Sequence, residues 1–129
     1  GERIRVSTRN SLKDALIGNT SHVNDSQNYT FENISTFRAL YKHSLTIRRS
    51  GCSALDLAYV AAGRLDAFWA NGLGVWDIAA GMLIAEEAGA LTSDFLGNPD
   101  YKKSDHYLCA TPKCFKQMLE AIKPNFKAN

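Results

Sequence analysis

Asp66-Ala67-Phe68-Trp69-Ala70 reads as a strand, and it passes through the glycine-containing loop Asn71-Gly72-Leu73-Gly74-Val75 directly into a helical pattern. That pattern is Trp76-Asp77-Ile78-Ala79-Ala80-Gly81 followed by Met82-Leu83-Ile84-Ala85-Glu86-Glu87-Ala88-Gly89-Ala90. Ile78, Met82, Ile84 and Ala85 are predicted to form its buried face, and Gly89 suits the left-handed residue that stops a helix. A strand handed so quickly to a helix favours α/β layers. Asp77 stands at the mouth of the helix, where its carboxylate has two uses: it caps backbone N–H groups as an N-cap, or it points outward at a bound cation.

The preceding chain alternates the same two kinds of element. Arg3 to Thr8 places Ile4 and Val6 between polar neighbours, predicting an edge-like strand that pairs with something outside this chain. Leu12 to Gly18 predicts a buried strand, and the polar stretch Asn19 to Asn28 a mobile loop in which Thr20, Ser21 and His22 read as surface groups. From Tyr29 to His43, Phe31, Ile34, Phe37, Leu40 and Tyr41 recur at helical steps, an aromatic stripe for the core. Leu45 to Arg49 predicts a short strand whose period of two sends Arg48 and Arg49 to opposite faces. Gly51-Cys52-Ser53 then opens a helix, Ala54 to Ala62, whose small residues suit close packing on a sheet. Its N-terminal N–H groups can accept a Ser53 cap or bind an oxyanion or sugar hydroxyl.

After the Asp77 helix, Leu91 to Phe95 and Tyr107 to Ala110 read as strands separated by the turn-rich Gly97-Asn98-Pro99-Asp100. Thr111-Pro112 predicts the cap and first turn of a last helix ending at Ile122, and residues 123–129 a flexible tail. The adjacent Glu86 and Glu87 point about 100° apart on a helix and cannot share one acid–base site.

Composition narrows the function classes. With fifteen Lys and Arg against thirteen Asp and Glu, the net charge of +2 argues for neither nucleic acid nor an acidic membrane surface. No apolar run is long enough for a membrane span. The three cysteines (Cys52, Cys109, Cys114) have no metal-site spacing, so reduced thiols and a cytoplasmic setting are expected. The opening Gly1-Glu2-Arg3-Ile4-Arg5-Val6-Ser7 reads as a turn glycine feeding a strand, which predicts a fragment of something larger.

Trp-Asp-x-Ala-Ala-Gly at 76–81, Glu-Ala-Gly at 87–89 and Ser-Asp-Phe-x-Gly at 93–97 together resemble the C-terminal signature of the inositol monophosphatase family of metal-dependent phosphatases, from about Arg3 to Ile122. The resemblance implies a mixed sheet layered with helices, the second half of that family's αβαβα sandwich. Residues 1–10 would be the last strand of a missing N-terminal domain, and 11–122 the C-terminal α/β domain. It also implies a Mg²⁺ cofactor with Asp77 as metal ligand and substrate contact, and a substrate pocket shaped by Arg48, Gly51, Cys52 and Ser53. Two departures stand out. Cys52 replaces a small hydroxyl residue, and Ala70 replaces the glutamate with which inositol-hydrolysing members accept ring hydroxyls, so specificity is relaxed or redirected unless Asn71 or water substitutes.

The family's remaining ligands, an upstream glutamate and an Asp-Pro-hydrophobic-Asp-Gly-Thr motif, do not occur in these 129 residues. The resemblance therefore implies a phosphatase that is inactive as this chain alone, with its missing N-terminal half as partner and a homodimer as the common assembly. A phosphorylated polyol or sugar is the implied substrate, with sugar bisphosphatase and nucleotide 3′-phosphatase as rival activities. A reading of another class comes from the run Ala54 to Arg64, which looks like the bacterial branch: some of its members bind RNA polymerase and elongation factors in ribosomal RNA antitermination.

Overall fold

A computed structural model describes residues 3–21 and 30–126. The described residues contain five strands, β1 (Leu16–Ser21), β2 (Thr46–Arg48), β3 (Ala67–Asn71), β4 (Leu91–Ser93) and β5 (His106–Ala110). Four helices accompany them: α1 (Thr30–His43), α2 (Ser53–Ala61), α3 (Val75–Glu87) and α4 (Pro112–Ile122). The strands form one sheet in the order β2-β1-β3-β5-β4. β1 runs parallel to β2 and β3, while β5 runs antiparallel to β3 and β4.

β3 explains why its sequence is a continuous apolar run rather than an alternation. It lies between β1 and β5 with every residue buried, so both of its faces need apolar cover. Phe68 and Ala70 belong to a core with Leu57 and Val60 of α2 and Ile78, Met82 and Ala85 of α3. Ala67 and Trp69 belong to the opposite core, with Leu40 of α1 and Cys114, Met118 and Ile122 of α4. The result is a helix–sheet–helix sandwich. Burying a side chain such as Phe68 contributes roughly 1.5–3 kcal/mol before chain entropy is counted.

Helices α2 and α3 approach closely because Gly81 has no side chain. A Cβ there would lie 2.7 Å from Leu57 Cδ1 and 2.8 Å from Leu57 Cβ. The glycine of the Trp-Asp-x-Ala-Ala-Gly run is thus a packing residue.

Several predicted elements shift. Residues 3–10 form no strand in the sheet. They run as irregular chain over the body of the domain: the Val6 amide donates to the Ala88 carbonyl at 3.1 Å, and the Ser7 hydroxyl donates to the buried carboxylate of Asp66. That carboxylate also accepts from the Leu16 amide at 2.8 Å and lies 3.7 Å from Arg9 Nε. Leu12–Asp14 is a 3-10 turn, and β1 continues through Asn19, Thr20 and Ser21, residues whose polarity predicts a loop. His22 lies outside the described residues, as does Phe31's side chain. Of the aromatic stripe on α1, Leu40 is buried but Ile34 and Tyr41 are exposed. Ile84 is likewise exposed, because the face of α3 that meets α2 carries Ile78, Met82 and Ala85. At the other end, Lys123–Asn125 forms a 3-10 turn that docks Phe126 against Phe95 and His106, so the chain is packed well past Ile122.

Candidate functional site

Parallel pairing of β1, β2 and β3 brings their carboxyl ends, at Ser21, Arg48 and Asn71, to one edge of the sheet. Helices α2 and α3 follow β2 and β3 through short loops and therefore begin at that edge. The crevice outside the carboxyl ends of parallel strands is where open α/β sheets bind ligands. One contact ties the two helix starts together: the Ser53 hydroxyl donates to the backbone carbonyl of Asp77 at 3.3 Å.

Asp77 is one turn inside α3 rather than at its cap. Gly74 is the N-cap, and Asp77 occupies the third helical position, from which its Oδ2 accepts the Gly74 amide at 3.2 Å. The Asp77 amide in turn donates to the Gly74 carbonyl at 3.0 Å. The helix start comes earlier than predicted because the apolar Val75 and Trp76 form its first turn. One carboxylate oxygen thus serves the backbone while the residue stays exposed, and Trp76 beside it is 92% exposed. The loop before α3 is braced from β5: the Gly72 amide donates to the Asp105 carbonyl at 2.9 Å, and the Tyr107 hydroxyl lies 3.0 Å from the Leu73 carbonyl.

Behind the turn from β2 into α2 is an acid that sequence reading passed over. Asp56 is 2% exposed, and its Oδ1 accepts the Ser50 hydroxyl at 2.9 Å. Ser50 Oγ accepts the Cys52 amide at 3.1 Å, so a short relay runs from the helix body into the loop. Burial pushes the Asp56 carboxyl above the ordinary range, and Ser50, Thr20 and the Arg48 charge pull it partly back. Within α2 the buried stripe is Asp56, Leu57, Val60 and Ala61. An acid on an otherwise apolar stripe is the signal the sequence did carry.

The predicted pocket residues are distributed as follows. Arg48 ends β2 and is exposed; Gly51 is exposed with φ +81, a left-handed turn that glycine adopts freely. Cys52 is the exposed N-cap of α2, with no side-chain cap bond, and Ser53 is its first residue. These four therefore adjoin in one strand-to-helix turn, and Ser53 joins them to Asp77. Ala70 is fully buried in the α2–α3 core, paired with Thr20 on one side and Tyr107 on the other. Thr20 is buried at the same edge.

Two further acids, Asp94 and Glu86, are committed to structural hydrogen bonds. Asp94 accepts the Leu96 and Asn98 amides at 2.8 and 2.9 Å and the Asn98 side chain at 2.9 Å, holding its own turn. Glu86 accepts the Thr92 hydroxyl at 2.6 Å and the Tyr101 hydroxyl at 3.2 Å, a structural role. Among the described residues, no three His, Cys, Asp or Glu side chains gather as a metal centre. Asp77 fits a hard cation as one exposed oxygen ligand, and Mg²⁺ sites built from one or two carboxylates plus waters and phosphate are common. No described helix is long and apolar enough to cross a membrane.

Residues 1–125 match the model of the inositol monophosphatase family. The chain is 47% identical over 126 residues to the Nus factor SuhB of Pseudomonas aeruginosa, covering 97% of this chain and 46% of that protein. It is 38% identical over 127 residues to the inositol-1-monophosphatase of Mesorhizobium japonicum, covering 98% of this chain and 47% of that one. The crystal structure of the extragenic suppressor protein suhB from Bartonella henselae superposes with a TM-score of 0.87 at 34% identity, over 96% of this chain and 48% of that one. The chain thus spans about half the length of the relatives it matches.

Proposed function

This chain belongs to the inositol monophosphatase family, and from that premise we propose that it supplies the C-terminal half of a Mg²⁺-dependent phosphate monoester hydrolase. The observation that carries this reading is Asp77: an exposed carboxylate at the carboxyl edge of the parallel strands, beside the first turn of α2. Asp77 would be the ligand this chain gives to Mg²⁺. When bound, the cation polarises the phosphate ester and lowers the pKa of water. Arg48 offers a cation to the phosphorylated substrate, while the Gly51–Ser53 backbone offers N–H groups to its hydroxyls. Ala70 supplies no hydrogen-bond acceptor, so the site accepts a wider range of phosphorylated polyols and sugars than a site that reads inositol hydroxyls strictly.

A single carboxylate does not make a two- or three-metal site, so the chain by itself releases no phosphate. Joined to an upstream half of the kind its relatives possess, it hydrolyses inositol 1-phosphate or a related monoester. Phosphate release by this chain alone above a metal-free control would overturn that division of labour.

A second reading is supported by the 47% identity to a Nus factor: a cytoplasmic protein that binds RNA polymerase and elongation factors. Trp76, Leu55, Leu83 and Ile84 leave apolar surface exposed on α2 and α3, suited to another half, a second copy or a partner protein. Pull-down by RNA polymerase that is unaffected by Asp77→Asn would place binding ahead of catalysis.

A further inference from the structure

Asp56 occupies a position where an apolar residue would pack without penalty. A buried carboxylate is costly unless it is hydrogen-bonded or paired, and here only Oδ1 has a partner, Oδ2 having none within hydrogen-bonding geometry. The fold nevertheless makes room for it. In β1, the residue facing it is Gly18, where a Cβ would lie 3.1 Å from Asp56 Cγ and equally 3.1 Å from Leu65 Cδ1, and Gly18 pairs in register with Arg48. Glycine weakens a strand interior, and here it leaves the space that Asp56 and Leu65 share.

We propose that Asp56 is a positioning residue for substrate recognition: through the Ser50 hydroxyl it fixes the Gly51–Ser53 backbone, and through its negative charge it restrains the Arg48 side chain. The proposal rests on the phosphatase reading of the site and deepens it, since it assigns to Asp56 the holding of substrate rather than any part in bond cleavage. Ser50 has one proton to give, and the carboxylate at 2.9 Å competes for it with the Cys52 carbonyl at 3.3 Å. With the carboxylate removed, that proton turns to Cys52 and the loop loses its tie to the helix body. The exposed Arg48, at the end of β2 in register with Gly18, loses a nearby negative charge.

The test uses the protein joined to its upstream half, with Mg²⁺ and inositol 1-phosphate. Asp56→Ala is expected to raise KM about ten-fold, the equivalent of one charge-assisted contact, with kcat within about two-fold. Asp56→Asn keeps an acceptor for Ser50 but no charge, so it falls between. Arg48→Ala added to Asp56→Ala raises KM little further, because the two share one effect. A loss confined to kcat, or multiplying effects of Arg48→Ala and Asp56→Ala, would overturn the proposal. The isosteric Asp56→Asn and the surface change Ser50→Ala keep the test decisive if Asp56→Ala does not fold. On this chain alone, hydrogen exchange at the Cys52 amide should speed up in Ser50→Ala and stay slow in Asp56→Asn; no change in Ser50→Ala contradicts the relay. If the joined protein hydrolyses nothing, the phosphatase reading fails, while Cys52 amide exchange, expected to be faster in Asp56→Ala than in Asp56→Asn, still decides whether Asp56 holds the loop.

Discussion

The Gly74 amide donates to the Asp77 carboxylate at 3.2 Å, and the Asp77 amide returns a bond to the Gly74 carbonyl at 3.0 Å. The two residues close the first turn of α3 on itself, which makes the candidate metal ligand part of the helix start. Asparagine can keep the side-chain bond, alanine cannot. Chemical denaturation should therefore find Asp77→Asn within about 1 kcal/mol of the parent, and Asp77→Ala destabilised by about 0.5–2 kcal/mol.

Gly81→Ala would gain helix propensity, about 1 kcal/mol in an exposed helix. Here its methyl group meets Leu57 below 3 Å, so α2 and α3 must separate. The expected net result is a loss of about 1–3 kcal/mol from overpacking. Urea unfolding of the variant decides it, and a stabilised variant would show that the two helices slide apart freely.

Acid sensitivity should come from His106. Its Nδ1 accepts the Phe95 amide at 2.9 Å, which requires the neutral ring, and the ring packs on Phe126 and Phe95 at 4.4 and 5.0 Å. Burial lowers its pKa below 6.5, outweighing the charges of Asp94 and Asp105. A base with a depressed folded pKa binds fewer protons than the unfolded chain, so stability falls as pH drops through about 6.5 and the loss is complete below the folded value. Melting temperature against pH should show this decline, flattened in His106→Asn, which keeps an acceptor but does not titrate.

Of the three thiols, only Cys52 is exposed; Cys109 and Cys114 are buried, and burial pushes both pKa values up. A thiol reagent under native conditions should modify one cysteine, and all three after denaturation. Because Cys52 caps α2 within the proposed pocket, modification should also weaken phosphate-ester binding. Rapid native labelling of two or more thiols would contradict the packing around Cys109 and Cys114.

The sheet and its helices were legible because burial leaves a periodic trace: β3 reads as an apolar run, and α4 follows its proline. The turn from Arg48 to Ser53 is singled out only by the family resemblance, and Asp77 is legible as a helix-start residue but lies at the third helical position rather than at the cap. What escaped was decided by contacts between distant residues. Asn19, Thr20 and Ser21 join β1 because β3 pairs with them, and local polarity does not register a neighbouring strand. Residues 3–10 alternate like a strand, yet Asp66 and Ala88 claim their hydrogen bonds. Phe126 docks beyond a proline-containing turn where composition suggests slack. Asp56 was hidden because an acid between alanines and leucines on a helix resembles any solvated charge until its turn faces the sheet.

The most direct test of the account is phosphate release from inositol 1-phosphate as a function of Mg²⁺ concentration, using the chain joined to an upstream half, with Asp77 intact and as Asp77→Asn. Fructose 1,6-bisphosphate and adenosine 3′,5′-bisphosphate serve as competing substrates. The account predicts saturable Mg²⁺ activation with Asp77 and a loss of at least about a hundred-fold in Asp77→Asn despite unchanged folding. Equal Mg²⁺-dependent turnover by both proteins would contradict it.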